Sequence, residues 1–494
     1  SFFYFRDPKY AHAIGGDHVG ENAAEVERQN ALKAHIKSVC QSKHIPLRED
    51  YADPHALAAL VLADLTAAID AEFPADQQPD RIDREAIDHE AFAQSRTRVY
   101  IGRQEYFDRL DEHAGGEGRL MVVLGESGVG KSALLAKWAM RHHEAHPEDF
   151  LLTHFIGASP YSADWATMLR RIMGEVKRRF DIREALPDQP GALRAAFANW
   201  LDMAAAKGRA ILILDGLNQL EDRDGAPDLV WLPLATPPNI RLIVSTLPGR
   251  PLNELEKRGA RTLRVEPLNA GERSRLISEY LAQYGKSLSP GRAEQIAAAP
   301  QAGNPLYLRA LLDELRLYGD HLTLAERINH YLRATTVADL YQRILERYEG
   351  DYERERPGLV RDAMTLLWAA RRGLYEAELM ELLGSKGQSL PHAHWSPLYL
   401  ATEQSLVSRG GLISFAHDYL RRAVRKKYLP TQQDEHMAHL RLADYFARDV
   451  ASNRAIEELP WQLAEAREAD RLRDLLVDRN FLLRAFCLSA TEWQ

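Results

Sequence analysis

The chain has 494 residues, of which 45% are apolar and 27% charged, and a net charge of -8. At roughly 100–200 residues per domain, this length holds about three or four domains of ordinary composition. The negative balance argues against a nucleic-acid stripe or an anchor to anionic lipid as the main function. Two cysteines, Cys40 and Cys487, exclude a disulfide framework or a cysteine metal cluster, and the simplest setting is a reducing, cytoplasmic one. No apolar run approaches the ~20 residues of a membrane span. The best candidate, Leu57 to Ala68, is interrupted by Asp64 and reads as an amphipathic helix.

In chain order, residues 1–74 open on Phe2-Phe3-Tyr4-Phe5, the pattern of a buried strand. Such a strand needs partners and none precedes it, so the chain is expected to continue upstream. A helix over about Asn22 to Ser42, an extended piece from Ile45 to Glu49 and a helix capped by Asp53 with Pro54 in its first turn follow. Residues 75–99, rich in Asp, Gln and Arg, read as a linker carrying one polar helix. Over 100–266, short apolar runs at Leu120–Leu124, Leu151–Ile156, Ile211–Leu214, Leu242–Val244 and Thr262–Val265 alternate with helical stretches. That is an α/β domain with a parallel sheet covered by helices on both faces. Beyond Pro267 the pattern is helical except for a hairpin, Leu406-Val407 and Leu412–Phe415 around Arg409-Gly410-Gly411, with a helix Tyr419 to Tyr428 after it. This divides into a small helical domain (267–335), a winged-helix domain (336–428) and two or three amphipathic helices (429–494).

The chemistry is concentrated at Gly125-Glu126-Ser127-Gly128-Val129-Gly130-Lys131-Ser132, a complete G-x-x-x-x-G-K-[ST] match between an expected strand and an expected helix. Glycines let backbone N–H groups turn inward as an anion nest at a helix N-terminus. Lys131 supplies charge to the β- and γ-phosphates, Ser132 a hydroxyl to Mg²⁺, and Leu134 lies in the first turn of the helix that follows. The strand Ile211–Leu214 ends in Asp215, where such folds hold Mg²⁺ through water. The bland readings are a glycine-rich turn and an Asp that caps a turn; the pairing of the two segments favours the metal role. No [NT]-K-x-D sequence occurs, so adenine is the expected base, with Ile101-Gly102-Arg103 as candidate pocket residues.

The order of motifs resembles the STAND class of signal-transduction ATPases in its NACHT-like branch, over about residues 100–428. Tyr100-Ile-Gly-Arg103 is similar to the leading x-x-G-R motif of that class, and Asp215-Gly-Leu-Asn-Gln219 to its extended second motif. Ile240–Thr246 is similar to the sensor strand, Gly303-Asn304-Pro305 to the proline turn of the small helical domain, and Ala416-His417-Asp418 to the Met-His-Asp motif of the winged helix. Residues 1–74 resemble the C-terminal half of a flavodoxin- or TIR-like module found upstream in nephrocystin-like proteins. Arg454–Leu463 resembles the helical lead-in to a TPR array. Two positions depart from the pattern. The second motif usually reads D-G-x-D-E, whereas Asn218 and Gln219 stand here, and neither amide is a general base. The sensor strand ends in Ser245-Thr246 without the following Arg; Thr246 is the candidate γ-phosphate contact, and Arg250 the candidate charge.

The resemblance implies a slow ATPase that binds ATP or ADP with Mg²⁺ and switches between a closed monomer and a homo-oligomer, in bacterial defence or regulation. Lys131, Asp215, Asn218 and Gln219 would carry the chemistry. Gly102, Arg103, the loop from Gly125 to Ser132, Leu134, Thr246, Pro305 and His417 would hold the nucleotide, the last two from the helical domains. The trigger would be an unknown protein or ligand acting through C-terminal repeats. Other readings are a motor-like ATPase of high turnover, a scaffold with structural ADP, and a winged-helix DNA-binding regulator using the basic run Arg421–Lys427.

Overall fold

The computed structural model describes residues 2–7, 9, 23–74, 79–385, 387–403 and 405–491, and the chain forms two compact units, 1–81 and 82–494. In the first unit, β1 (Phe3–Arg6) and β2 (Leu47–Tyr51) pair in parallel with Phe3 opposite Leu47, and α1 (Ala23–Lys43) lies between them in the chain. The aromatic strand is half-buried rather than buried, and its partner comes after it. α2 (Pro54–Glu72) starts as expected, with the Asp53 carboxylate accepting from the Ala56 N–H at 2.8 Å. Its packing is not that of the expected amphipathic helix. Its one buried residue is Asp64, which accepts from Arg48 Nη2 at 2.5 Å and from the Tyr4 hydroxyl at 3.1 Å. Leu62, Leu65, Ile69 and, just beyond, Phe73 are exposed. Among the described residues this is the one helix long and apolar enough to cross a membrane, by length and composition. Counting uninterrupted apolar residues hid this, because Asp64 breaks the run while Arg48 neutralises it.

The second unit begins within α3 (Arg81–Thr97), in the stretch read as a linker; residues 75–78 lie outside the described residues. The helix is no linker. Glu85, His89 and Ala93 form a buried stripe at four-residue spacing, and His89 Nδ1 accepts from the Phe155 N–H at 2.9 Å. Two members of that stripe are titratable, so it did not read as a core face.

α4 (Gln104–Gly115) precedes β3 (Leu120–Leu124), α5 (Lys131–Ala145), β4 (Phe150–Phe155), α6 (Trp165–Phe180), α7 (Pro190–Lys207), β5 (Ala210–Asp215), β6 (Ile240–Thr246), α8 (Arg250–Lys257) and β7 (Arg261–Arg264). The five strands are parallel in the order β4-β5-β6-β3-β7. Side chains alternate between faces as the strand period requires. Val122, Leu124, Leu212 and Leu214 pack in one core with Phe197 and Trp200, while Val123, Ile211 and Ile213 pack in another with Trp138. The strand β3 is interior to the sheet, and the loops after β3, β5 and β6 open at one carboxyl edge, where such sheets bind ligands.

The rest is helical: α9 (Ala270–Ala282), α10 (Pro290–Ala298), α11 (Pro305–Leu317), α12 (Leu324–Leu332), α13 (Val337–Tyr352) and α14 (Leu359–Ala369). Then come β8 (Leu374–Tyr375), α15 (Glu376–Leu383), α16 (His392–Ala401), β9 (Leu406–Arg409), β10 (Leu412–Phe415) and α17 (Asp418–Tyr428). Four helices follow where two or three were expected: α18 (Gln432–Phe446), α19 (Asn453–Glu465), α20 (Ala469–Val477) and α21 (Arg479–Thr491). The strands β9 and β10 form the expected hairpin, Leu412 opposite Arg409. Gly410 and Gly411 turn it at φ 54° and 83°, conformations that a two-residue hairpin favours. The strand β8 pairs with the other edge of β10. One hydrophobic core runs from Val99 and Ile101 through these helices to Leu463, so the helical region packs as a single body.

A buried polar cluster joins α3 to the sheet. The His89 and His154 rings lie 4.3 Å apart, and both side chains are fully buried. His154 accepts from Arg171 at Nδ1 (3.2 Å) and donates from Nε2 to the Ser162 carbonyl (2.9 Å). Burial and then the Arg171 charge push its pKa down to about 3. The unfolded chain therefore binds a proton here below the ordinary histidine pKa of about 6.5 that the native state refuses, and stability is lost as pH falls from there toward 3. At pH 4.5 this one group costs about 2–3 kcal/mol. Melting temperature is expected to fall from pH 7 to pH 4.5, and His154→Gln to flatten that slope in a thermal scan against pH.

Candidate functional site

The loop between β3 and α5 has the geometry its glycines permit. Gly128 and Gly130 sit at φ 79° and 99°, and α5 starts at Lys131 directly after them. A Cβ at Gly128 would also meet Asn304 Oδ1 at 2.8 Å, so that position is closed to side chains on both counts. Lys131 Nζ donates to the carbonyls of Gly125 (2.7 Å) and Glu126 (3.0 Å), which holds it across the loop. Burial pulls the Lys131 pKa down, and the Asp215 charge opposes that.

Asp215 ends β5 and is 2% exposed. Its carboxylate accepts from Ser245 Oγ at 2.5 Å and from Ser132, and Ser245 in turn accepts from the Gly216 N–H at 2.9 Å. Burial raises the pKa of Asp215, opposed by those two hydroxyls, by Lys131 and by Arg96. A hydroxyl and a carboxylate in mutual contact beside a phosphate nest are a hard oxygen pair suited to Mg²⁺ shared with phosphate oxygens. When bound, such an ion would neutralise phosphate charge.

A cavity of about 970 Å³ opens at this edge, lined among others by Ser127 to Leu134, Asp215, Asn218, Gln219, Pro305 and His417. Sequence expectation and structure part at several positions. Gly125 and Glu126 do not line the cavity, and Glu126 is exposed. Gly102 is exposed and also outside it. Arg103 borders the cavity, but its guanidinium is spent on Glu272 (2.9 Å) and on the carbonyls of Glu266 (2.8 Å) and Pro267 (3.0 Å). It ties the start of the domain to the helical region, and the neighbouring Ile101 supplies apolar wall instead. Ser245, not Thr246, faces the cavity. The strand period turns Thr246 to the other side, where it is fully buried and donates to the Leu247 carbonyl at 3.1 Å.

The two amides and the acids that follow them are engaged by other groups. Asn218 Oδ1 accepts from the Leu247 N–H at 3.2 Å, and the Gln219 amide lies against Gly216 and Gly157. Glu221 is paired with Arg371 at 3.0 Å and Arg372 at 3.6 Å. Asp222 and Asp228 hold Arg250, which is thereby taken out of contention as a phosphate contact.

The helical region grips the loop. Asn304 caps α11 by accepting from the N–H groups of Leu306 (2.9 Å) and Tyr307 (3.3 Å), while its Nδ2 donates to the Ser127 carbonyl at 3.0 Å. The Leu306 N–H reaches the Gly128 carbonyl at 3.3 Å. Tyr419, on α17, donates to the same Ser127 carbonyl at 3.1 Å. Beside it, His417 Nε2 lies 3.1 Å from Arg96 Nη1. Arginine can only donate, so Nε2 accepts and the ring proton is assigned to Nδ1. Burial, and then Arg96, Arg309 and Arg409, push the His417 pKa far down, so the ring is neutral. His417 makes no side-chain cap to its helix. Asp418 pairs with Arg422 at 2.6 Å.

Asn304 stands inside the Gly303-Asn304-Pro305 motif without a role assigned to it from sequence, and Tyr419 adjoins the Ala416-His417-Asp418 motif. Arg96 lies 321 residues from its partner His417, a separation at which no sequence spacing carries a signal.

Comparison with known proteins agrees with this geometry. The AAA ATPase domain family matches residues 99–244. A TPR repeat-containing protein of Dictyostelium discoideum is 30% identical over 97% of this chain and 33% of its own length. Mouse nephrocystin-3 is 26% identical over 82% of this chain and 32% of its own. The chain thus spans about a third of the length of these relatives. A solved STAND protein with a tetratricopeptide repeat sensor from Pyrococcus horikoshii covers 80% of this chain and 54% of its own at 16% identity and TM-score 0.46. Residues 99–244 thus carry a P-loop ATPase domain of the AAA type, in a chain that is similar over most of its length to tetratricopeptide-repeat proteins.

Proposed function

We propose that this chain is the switch segment of a longer cytoplasmic signalling protein, in the NACHT-like branch of the class, controlled by Mg²⁺ with ATP or ADP. ADP keeps the helical region, with residues 336–428 read as a winged helix, docked on the nucleotide domain. ATP releases it and lets copies assemble. The observation that carries this reading is the Ser127 carbonyl, gripped by Asn304 and Tyr419 from two separate helices of the helical region. A loop that must shape itself to phosphates is thereby coupled to α11 and α17. A trigger acting through repeats elsewhere in the protein, and a defence or regulatory output, rest on the class alone.

Three outcomes are expected. Lys131→Ala abolishes binding of both ATP and ADP in a calorimetric titration while the chain stays folded; unchanged affinity contradicts the nucleotide site. Hydrolysis runs far below the ~1–100 s⁻¹ typical of kinases, and Asn218→Asp with Gln219→Glu raises it. A wild-type rate of tens per second would show that another base serves. His417→Ala speeds ADP release by about 10–100-fold, the value of ~1.5–3 kcal/mol for a hydrogen bond to a charged group. A lowered melting temperature with an unchanged ADP off-rate would reduce His417 to packing.

A further inference from the structure

Three arginines from three distant parts of the chain converge beside the loop. Arg96 comes from α3, Arg309 from α11 and Arg409 from β9, and all three line the cavity that holds Lys131. They also line a smaller cavity of about 250 Å³, so they stand between the two. None of the three forms an ion pair among the described residues. Arg96 Nη1 donates to the neutral His417 ring at 3.1 Å and Nη2 reaches the Ala416 carbonyl at 3.4 Å, with its guanidinium 4.6 Å from the Phe92 ring centroid. Arg309 lies over the Tyr280 ring at 5.9 Å. Arg409 leaves its Nε buried without a hydrogen-bond partner.

The carboxylates that face this group do not balance it. Asp215 is already held by Ser132, Ser245 and Lys131. Asp88 acts on Arg409 alone of the three, and Asp313 near Arg309 is paired with Arg316 at 2.9 Å. Burial first, and then Arg309 and Arg409, push Arg96 down to about 10, with Asp215 opposing them. Like charges gathered in a half-buried place, with a buried donor left over, cost free energy unless an anion joins them.

We infer that Arg96, Arg309 and Arg409 bind the terminal phosphate of ADP, and that Arg96 and His417 form one donor unit whose anion closes the helical region onto the loop. Arg96 lies upstream of the matched ATPase domain, so this makes α3 part of the nucleotide site. The inference rests on the nucleotide-switch reading and deepens it. It explains why closure is conditional: the arginines repel without the anion and are bridged with it.

The test separates a binding role from a packing one by sign. In the full chain, Arg96→Gln should leave the nucleotide-free melting temperature unchanged or raised, because a repelling charge is removed. The same variant should weaken Mg-ADP by roughly tenfold to a hundredfold in calorimetry, the range for losing a charge-assisted hydrogen bond, and shrink the ADP-induced rise in melting temperature. A non-hydrolysable ATP analogue should lose less. Arg409→Gln, on a different element, should repeat the pattern. Overturning results are a lowered nucleotide-free melting temperature with ADP affinity unchanged, or failure of both variants to fold, since either makes the arginines structural. A wild-type chain that binds neither nucleotide would instead overturn the switch reading itself.

Discussion

The carbonyl of Ser127 accepts two side-chain hydrogen bonds, from Asn304 and from Tyr419, and these tie the helical region directly to the phosphate loop. A P-loop spends its N–H groups on phosphate, so its carbonyls point outward and need other donors. Here those donors come from the N-terminal ends of α11 and α17, two helices that share one hydrophobic core. On the proposed reading, a small change in loop shape would move that packed body as a unit rather than residue by residue.

Charge works alongside shape. Lys131 and the buried Asp215 are opposite charges that moderate each other's cost. Arg96, Arg309 and Arg409 feel Asp215, Asp88 and Asp313 but form no ion pair with them among the described residues. The acidic loop after β5 supplies none either, because Glu221 is bound by Arg371 and Arg372, and Asp222 by Arg250. That same engagement removes the two nearest acids from any role as base, leaving amides at 218 and 219. On the proposed reading, such a site holds nucleotide more readily than it turns it over.

The α/β sheet and its phosphate loop were legible in the sequence because both depend on local patterns: continuous apolar runs, and glycines at set spacing before Lys131. The hairpin at Gly410-Gly411 was legible for the same reason. What escaped depends on tertiary placement. Residues 81–97 looked like a linker because the buried face of α3 carries Glu85 and His89, whose partners Ser159 and Phe155 lie some 70 residues away. Thr246 was chosen over Ser245 because a motif fixes the end of a strand but not which of two neighbours faces the ligand. Arg103 matched its motif but serves as a tie to Glu272. Arg96 had no local signature, since its surroundings are assembled from three distant segments.

The central claim is that α17 stays docked on the loop with ADP and leaves it with ATP. Hydrogen–deuterium exchange of the amides of residues 416–422 in the full chain tests it most directly. The account predicts slow exchange with Mg-ADP and markedly faster exchange with a non-hydrolysable ATP analogue, while the sheet amides of β5 and β6 stay equally protected in both. Equal protection of 416–422 with the two nucleotides would contradict it.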